Sequence, residues 1–164
     1  MLERTYDAQR CSVARALEVV GERWTLLIIR DALNGVRRFE DFQRDLGLAR
    51  NILADRLQRL CAAGVLERVR YSERPERYEY RLTEVGRDLW PAVIALRNWG
   101  DRHLAPPEGK PLRLEHRHCG GEVEHRVFCA DCGEGLRVWD VVRHPGPGAA
   151  PPPSTAGPVG AGTA

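Results

Sequence analysis

Residues 36–86 decide the fold, and they read VRRFEDFQRDLGLARNILADRLQRLCAAGVLERVRYSERPERYEYRLTEVG. Phe39, Phe42 and Leu46 recur at helical spacing, and the glycine that follows them, Gly47, is a residue type that commonly ends a helix. A second helical stripe comes next, ending before Gly64, and it consists of Leu53, Leu57, Leu60 and Cys61. The pattern therefore predicts two helices joined by a short turn.

Two segments after these helices have the alternation of β-strands. Residues 65–71 and residues 78–82 both approximate a period of two, and the segment between them, residues 72–77, is too charged to be buried. A hairpin following a helix-turn-helix is the order of a winged helix. In that arrangement one helix enters the major groove of duplex DNA while the hairpin reaches along the backbone.

The side chains expected to contact DNA follow from a helical wheel. If Leu53 and Leu57 face the core, the opposite face of the second helix is polar, and Arg and Asn side chains pair bidentately with guanine and adenine. The hairpin tip and the start of the first helix supply further arginines for phosphates. Any one of these residues could simply be solvated, so the prediction depends on the order of the elements. The predicted contacts are Arg38, Arg50, Asn51, Asp55, Gln58, Arg59, Arg74 and Arg77.

Further helices flank the central segment. Residues 12–20 and 24–34 have helical apolar spacing, and Thr83 is placed to cap a helical stretch that runs to about His103. Pro91 predicts a kink or a break within that stretch. The apolar residues of this stretch are Leu89, Val93, Leu96 and Trp99. They present more apolar surface than a small domain can cover, so we expect a two-fold dimer to bury it, and packing of the helix against its own core is the alternative.

The first 100 residues or so resemble a known family, the HxlR-type winged-helix transcriptional regulators, which are similar to the MarR type. The resemblance implies a homodimeric DNA-binding regulator without catalytic activity, and one departure is Ser12, where the family commonly has proline. The matching positions are Cys11, Ala14-Arg15-Ala16-Leu17, Gly21, Trp24-Thr25-Leu26-Leu27-Ile28, Gly35, Arg38-Phe39, Leu53, Arg56-Leu57, Leu60, Gly64-Val65-Leu66, Arg68, Pro75, Tyr80-Arg81-Leu82-Thr83-Glu84, Gly86 and Trp99-Gly100.

Cys11 is a candidate redox-sensing residue. It lies at the predicted start of the first helix, where the helix dipole favours a thiolate. The resemblance implies sensing of oxidants or electrophiles through this position, because several regulators of the family use a cysteine there. The alternative is a small residue packed at the dimer interface. Cys61, on the core face of the second helix of the motif, is better explained by packing.

Residues 112–143 predict a small β module that resembles a zinc ribbon. His116-x2-Cys119-Gly and Cys129-x2-Cys132-Gly are separated by a nine-residue gap, and two such pairs supply the four tetrahedral ligands that structural zinc prefers. His118 or His125 could replace His116, and the module could also hold no metal or use Cys129 and Cys132 as a redox dithiol. Four protein ligands leave no open position for catalysis, so any zinc would be structural.

The whole chain is therefore expected to have an α+β fold in four parts. Residues 1–104 form the winged helix with its long C-terminal dimerisation helix, 105–111 a linker, 112–143 the module, and 144–164 a disordered tail rich in proline, glycine and alanine. The 164 residues carry a net charge of only +2, so local arginine clusters indicate the nucleic-acid partner better than the total does. We expect a cytoplasmic location, since neither a signal peptide nor a membrane span is apparent.

Three classes of function compete. The first is a homodimeric regulator, expected to be a repressor of a pseudo-palindromic site, that responds to thiol oxidation or a small molecule. The second is a winged-helix protein–protein interaction module with the ribbon as its docking surface. An enzyme ranks last, because the sequence contains no phosphate-binding glycine loop and no nucleophile elbow.

Overall fold

The computed structural model describes residue 6 and residues 10–149. A helix-turn-helix and a two-stranded hairpin are flanked by further helices on both sides. The elements are α1 (Ser12–Val20), α2 (Thr25–Leu33), α3 (Phe39–Leu46), α4 (Arg50–Ala62), β1 (Leu66–Glu73), β2 (Glu76–Leu82), α5 (Glu84–Arg87), α6 (Trp90–His103) and a single 3-10 turn at Val138–Asp140.

The hydrophobic core lies where α2, α3, α4 and β1 meet. Each of these elements contributes fully buried apolar side chains, and burial of such side chains is the main stabilising term in folding. The predicted stripe of α4 is confirmed, and of the predicted α3 stripe Phe42 is fully buried, while Phe39 and Leu46 are half-buried. The largest fully buried side chains are Phe42, Ile28, Ile29, Leu53, Leu57, Leu60 and Leu66.

Glycines end both helices of the motif, as predicted. Gly47 has φ 63° directly after α3, and Gly64 has φ 70° between α4 and β1. Both lie in the left-handed region, where a side chain other than glycine is strained. These two turns set the direction in which α4 leaves α3 and in which the hairpin leaves α4.

The hairpin is longer than the sequence predicts. β1 and β2 are antiparallel from Leu66 opposite Leu82 to Glu73 opposite Glu76, with a bulge between Arg70 and Ser72. The predicted tip, residues 72–77, is shorter in the structure, because residues 72–73 belong to β1 and residues 76–77 belong to β2. The charge of this segment forbids burial but not strand pairing, because a hairpin that projects into solvent leaves its side chains in water.

A backbone contact joins the hairpin to the start of α3. The N–H of Tyr80 donates to the carbonyl of Arg37 at 2.8 Å, and Arg38 forms an isolated antiparallel bridge with Glu79. The segment before α3 therefore lies beside β2 like a short third strand. The wing is held against the helix-turn-helix through backbone hydrogen bonds as well as side chains.

The helical stretch after the wing is interrupted, as predicted from Pro91. Thr83 caps α5, since its hydroxyl oxygen accepts a hydrogen bond from the N–H of Gly86 at 3.1 Å and donates one to the carbonyl of Gly64 at 2.6 Å. After α5, the chain starts α6 with Pro91 in its first turn, where proline lacks no needed hydrogen bond.

The apolar stripe of α6 divides between two environments. Leu89, just before the helix, and Val93 pack against the core, but Leu96 is 54% exposed and Trp99 is 57% exposed. On α1, Val13 is 66% exposed as well. Part of the predicted stripe thus packs on the chain's own core, and the rest has no cover within the described residues.

The predicted β module does not form strands. Residues 112–143 contain two isolated bridges, Glu115 with Glu122 and Phe128 with Gly135, and one 3-10 turn. Each of the two chain reversals forms only one such bridge, which is too short to count as a strand pair, and none of residues 112–143 is buried. Of the predicted disordered tail, residues 150–164 lie outside the described residues. Among the described helices, none combines the length and apolar character that a membrane crossing requires.

The packing of Gly86 gives a stability prediction. A Cβ added there would lie 2.2 Å from the carbonyl oxygen of Val65 and 2.8 Å from Leu82 Cδ2. We expect Gly86→Ala to lower the free energy of unfolding by at least about 2 kcal/mol, measured by urea denaturation. Gly135→Ala is the matched control, because an added Cβ there meets no atom within 4 Å. Equal stability of the two variants would contradict this account of the α5 contact.

Candidate nucleic-acid interface

The polar face of α4 is exposed as predicted. Arg50 and Asn51 occupy its first turn and Gln58 lies two turns further on, all three in solvent, while the leucine stripe points to the core. The guanidinium carbon of Arg50 lies 4.8 Å from the centre of the Phe39 ring. This cation–π contact holds the Arg50 side chain between the two helices of the motif.

Two of the predicted contact residues are engaged in an ion network. Asp55 and Arg59 approach each other to 3.1 Å, one turn apart on α4, and Arg59 also lies 3.2 Å from Glu22, in the turn between α1 and α2. Arg56, which is also on α4, contacts the carboxylates of both Glu22 and Asp55, and its side chain is only 18% exposed. The network therefore attaches the middle of α4 to the preceding helices.

Sequence reasoning missed Arg56 and Glu22. The spacing of Asp55 and Arg59 by four residues is a visible signal for a helical ion pair. Glu22 is more than thirty residues away, and only the fold brings it to α4. Because Arg59 remains 62% exposed, it keeps N–H donors for a further partner.

The arginines of the wing differ in their partners. Arg70 lies 3.4 Å from Glu73 and 3.8 Å from Glu76, whereas the two predicted tip residues, Arg74 and Arg77, form no ion pair with any described residue. Exposed ion pairs contribute little stability, but they neutralise the charge that a phosphate would meet. Arg74 and Arg77 are therefore the arginines at the end of the wing whose guanidinium groups are not already held by a described carboxylate.

Arg38 lies where the wing meets the helix-turn-helix. It is the residue immediately before α3, and its guanidinium carbon lies 5.2 Å from the centre of the Tyr71 ring in β1. Like Arg50, it has a cation–π contact but no ion pair with a described residue. The structure thus places four predicted arginines, Arg38, Arg50, Arg74 and Arg77, in solvent without a carboxylate partner among the described residues.

The two cysteines of the winged helix have opposite environments. Cys11 is exposed immediately before α1, and the N–H groups of Ala14 and Val13 lower the pKa of its thiol, although the sulfur forms no capping hydrogen bond of good geometry. Burial raises the pKa of the Cys61 thiol, in agreement with its predicted role in packing. The thiolate therefore forms more readily at Cys11 than at Cys61.

The four predicted metal ligands lie as two pairs. In the first pair, Nδ1 of His116 is 3.1 Å from Sγ of Cys119. In the second, the pKa of the Cys129 thiol is lowered by the N–H groups of Cys132 and Asp131 and by the Cys132 thiol. Within the part of the chain that the structure describes, no three histidine, cysteine or acidic side chains are close enough to hold a metal ion. The pairs are formed, but they are not brought together.

Comparison with known proteins gives the same architecture. A model of the HxlR-like helix-turn-helix family matches residues 19–108, which is more than half of the chain. The solved structure of PA1607, proposed to be a transcription factor, is 42% identical and superimposes with a TM-score of 0.74 over 82% of this chain and 94% of that one. The redox regulator HypR, solved in its reduced form, is 32% identical, with a TM-score of 0.53 over 56% of this chain and 92% of that one.

Among curated relatives, the uncharacterized HTH-type transcriptional regulator Rv3095 of Mycobacterium tuberculosis is 53% identical over 137 residues, which is 84% of this chain and 87% of the relative. The matches to Rv3095 and PA1607 each cover more residues than the winged helix and linker together, residues 1–111, so both extend into the segment that follows. The match to HypR covers fewer residues than that.

The family and these relatives are regulators of transcription and not enzymes, as the sequence predicts. The winged helix-turn-helix, the family match and the high identity to Rv3095 agree, and the chain belongs to the HxlR-like helix-turn-helix family of transcriptional regulators.

Proposed function

We propose that the protein is a homodimeric regulator that binds an inverted repeat in duplex DNA and represses transcription from it. The observation that carries this proposal is the set of exposed, unpaired arginines on α4, before α3 and at the wing tip of a helix-turn-helix. Exposed positive charge on these elements is what phosphate contacts require.

Base recognition is assigned to the first turn of α4. Arg50 and Asn51 are the side chains that pair bidentately with guanine and adenine, and the N-terminal residues of a recognition helix are the ones that reach base edges. Gln58 extends the same exposed face. Asp55 and Arg59 contribute mainly by shaping this face, because their charges are already balanced within the network that includes Glu22.

A second copy of the chain is the partner proposed for the exposed apolar residues of α1 and α6. Val13 and Leu17 on α1, and Leu96 and Trp99 on α6, are large apolar side chains that the described chain leaves in solvent. A two-fold dimer would place two α4 helices in successive major grooves, about one DNA turn apart. Repression then follows if the bound dimer covers a promoter.

Selection of genomic DNA fragments on the purified protein tests the proposal. We expect an inverted repeat to be enriched, and Asn51→Ala to lower the preference for that repeat over scrambled DNA by about 1–3 kcal/mol per lost bidentate pair. Gln43→Ala is the matched control, because the Gln43 amide bonds the carbonyl of Leu48 inside the motif at 3.4 Å. Absence of any enriched sequence would favour the interaction-module function.

The wing makes a separate prediction. Arg74→Ala removes an unpaired charge, so we expect weaker binding to all sequences alike and a shallower dependence of affinity on salt, by about 0.9 in the log–log slope for each lost phosphate contact. Arg44→Ala is the control, since Asp45 and Asp41 already engage that guanidinium and raise its pKa. If Arg74→Ala left the slope unchanged, the wing tip would not contact DNA.

We also propose that Cys11 makes DNA binding sensitive to oxidants. Its support is the exposure of the thiol, its lowered pKa and its position before α1, which carries part of the proposed dimer surface. The redox regulator HypR, which has been solved in both reduced and oxidized forms, shares the winged helix. Oxidation at Cys11 would alter the packing of α1 against the second subunit.

The lowered pKa gives this proposal a pH test. Because the thiolate is the reactive form, Cys11 should be alkylated by iodoacetamide at a lower pH than an ordinary thiol, and Cys61 at a higher one, as measured by peptide mass spectrometry.

Cys11→Ser should retain DNA binding after mild oxidation that abolishes it in the unmodified protein. Equal oxidation sensitivity of Cys11→Ser and Cys61→Ser would remove Cys11 from the response.

A further inference from the structure

Residues 114–136 contain the same backbone hairpin twice. In the first, the N–H of His116 donates to the carbonyl of Gly121 at 2.8 Å, and thirteen residues later the N–H of Cys129 donates to that of Glu134 at 2.8 Å. The outer hydrogen bonds also correspond, from Val123 to Leu114 at 2.9 Å and from Leu136 to Val127 at 2.8 Å. The segment is therefore a structural repeat of two short hairpins.

The turn inside each hairpin is the same as well. Gly120 donates to the carbonyl of His116 at 2.8 Å, and Gly133 donates to that of Cys129 at 2.9 Å, with φ of 70° and 73° at the two glycines. Each glycine directly follows a cysteine, and left-handed φ values are unfavourable for other residues. We call these two hairpins, residues 114–123 and 127–136, the knuckles.

The repeat places possible metal ligands at equivalent positions. His116 corresponds to Cys129 and Cys119 corresponds to Cys132, so each knuckle carries two ligand side chains on its tight turn. The 3.1 Å between His116 Nδ1 and Cys119 Sγ is close to the roughly 3.5 Å expected for nitrogen and sulfur ligands on one tetrahedral zinc ion. The geometry of the His116–Cys119 pair is thus near that of one half of such a site, and Cys129 and Cys132 occupy the equivalent positions of the second hairpin.

The packing of the knuckles gives them little hydrophobic stabilisation. None of residues 112–143 is buried, and only Leu114, Val123, Cys129 and Leu136 are half-buried. Large apolar side chains such as Phe128 and Trp139 are 66% and 73% exposed. A segment of about 30 residues without a core is normally held by disulfides or a structural metal, and all three cysteines of the segment are free.

We propose that the two knuckles close on one zinc ion, bound by His116, Cys119, Cys129 and Cys132. Three sulfur ligands and one imidazole are a donor set that zinc favours over magnesium or calcium. The described structure holds the two pairs apart, so binding would bring the knuckles together and fold the segment around the metal. With all four positions filled by protein, the ion would be structural.

Among the histidines, the geometry favours His116. The ring of His118 packs edge-on against that of His116, with ring centres 5.3 Å apart, whereas His125 lies beside Asp101 and Glu124 in a polar cleft between α6 and the knuckles. Only His116 occupies the position that corresponds to Cys129 in the repeat. The proposal is independent of DNA recognition, because it concerns residues outside the winged helix.

Metal analysis of the full-length protein, purified without chelator, tests this inference. We expect one equivalent of zinc per chain, and loss of most of it in both Cys119→Ser and Cys129→Ser, since each knuckle supplies half of the site. Cys61→Ser is the matched control and should retain the full equivalent, because that thiol packs against the core. Likewise His116→Gln should lose zinc affinity and His118→Gln should keep it.

Two further measurements do not depend on variants that fold. Cobalt substituted into the unmodified protein should show the intense visible bands of tetrahedral thiolate coordination. Titration with a mercurial should release zinc in step with modification of Cys119, Cys129 and Cys132, located by peptide mass spectrometry, and not with modification of Cys11. Zinc-free protein, two equivalents per chain, zinc retained by Cys119→Ser, or a Cys129–Cys132 disulfide in freshly purified protein would each overturn the proposal.

Discussion

The burial of one face of α4 is the constraint on which the rest of the structure depends. Leu53, Leu57 and Leu60 are fully enclosed by α2, α3 and β1, so the rotation of α4 about its axis is fixed by hydrophobic packing. That rotation puts Arg50, Asn51 and Gln58 in solvent. The residues proposed to read bases are exposed because the leucines of the same helix are not.

The winged helix could be predicted from sequence because its signals are local and periodic. Stripes at helical spacing gave α3 and α4, and glycines marked their ends. The extent of the hairpin could not be predicted in this way, since charged residues at its end pair their backbones while their side chains stay in water. The isolated bridge between Arg38 and Glu79 could not be predicted either, because it joins segments about forty residues apart.

The candidate DNA surface shows a similar division. Exposure of the polar α4 residues follows from a helical wheel, but the partner of an arginine does not. Arg59 faces Glu22 across the fold, whereas Arg74 and Arg77 face solvent, and nothing in the one-dimensional pattern distinguishes them. A net charge of +2 conceals this difference, because a phosphate responds to local uncompensated charge and not to the sum over the chain.

The bulge between Arg70 and Ser72 has a consequence for how such a wing can change. Successive strand residues point to opposite sides, so one additional residue in β1 inverts the side on which every later residue of that strand emerges. Deleting a single residue there would leave the charge, composition and length of the wing almost unchanged. It would, however, reverse the face of the hairpin to which the side chains between the deletion and the tip point. A one-residue insertion or deletion is thus a direct route by which the wing could change the side chains that it presents on each of its faces while α4 stays the same.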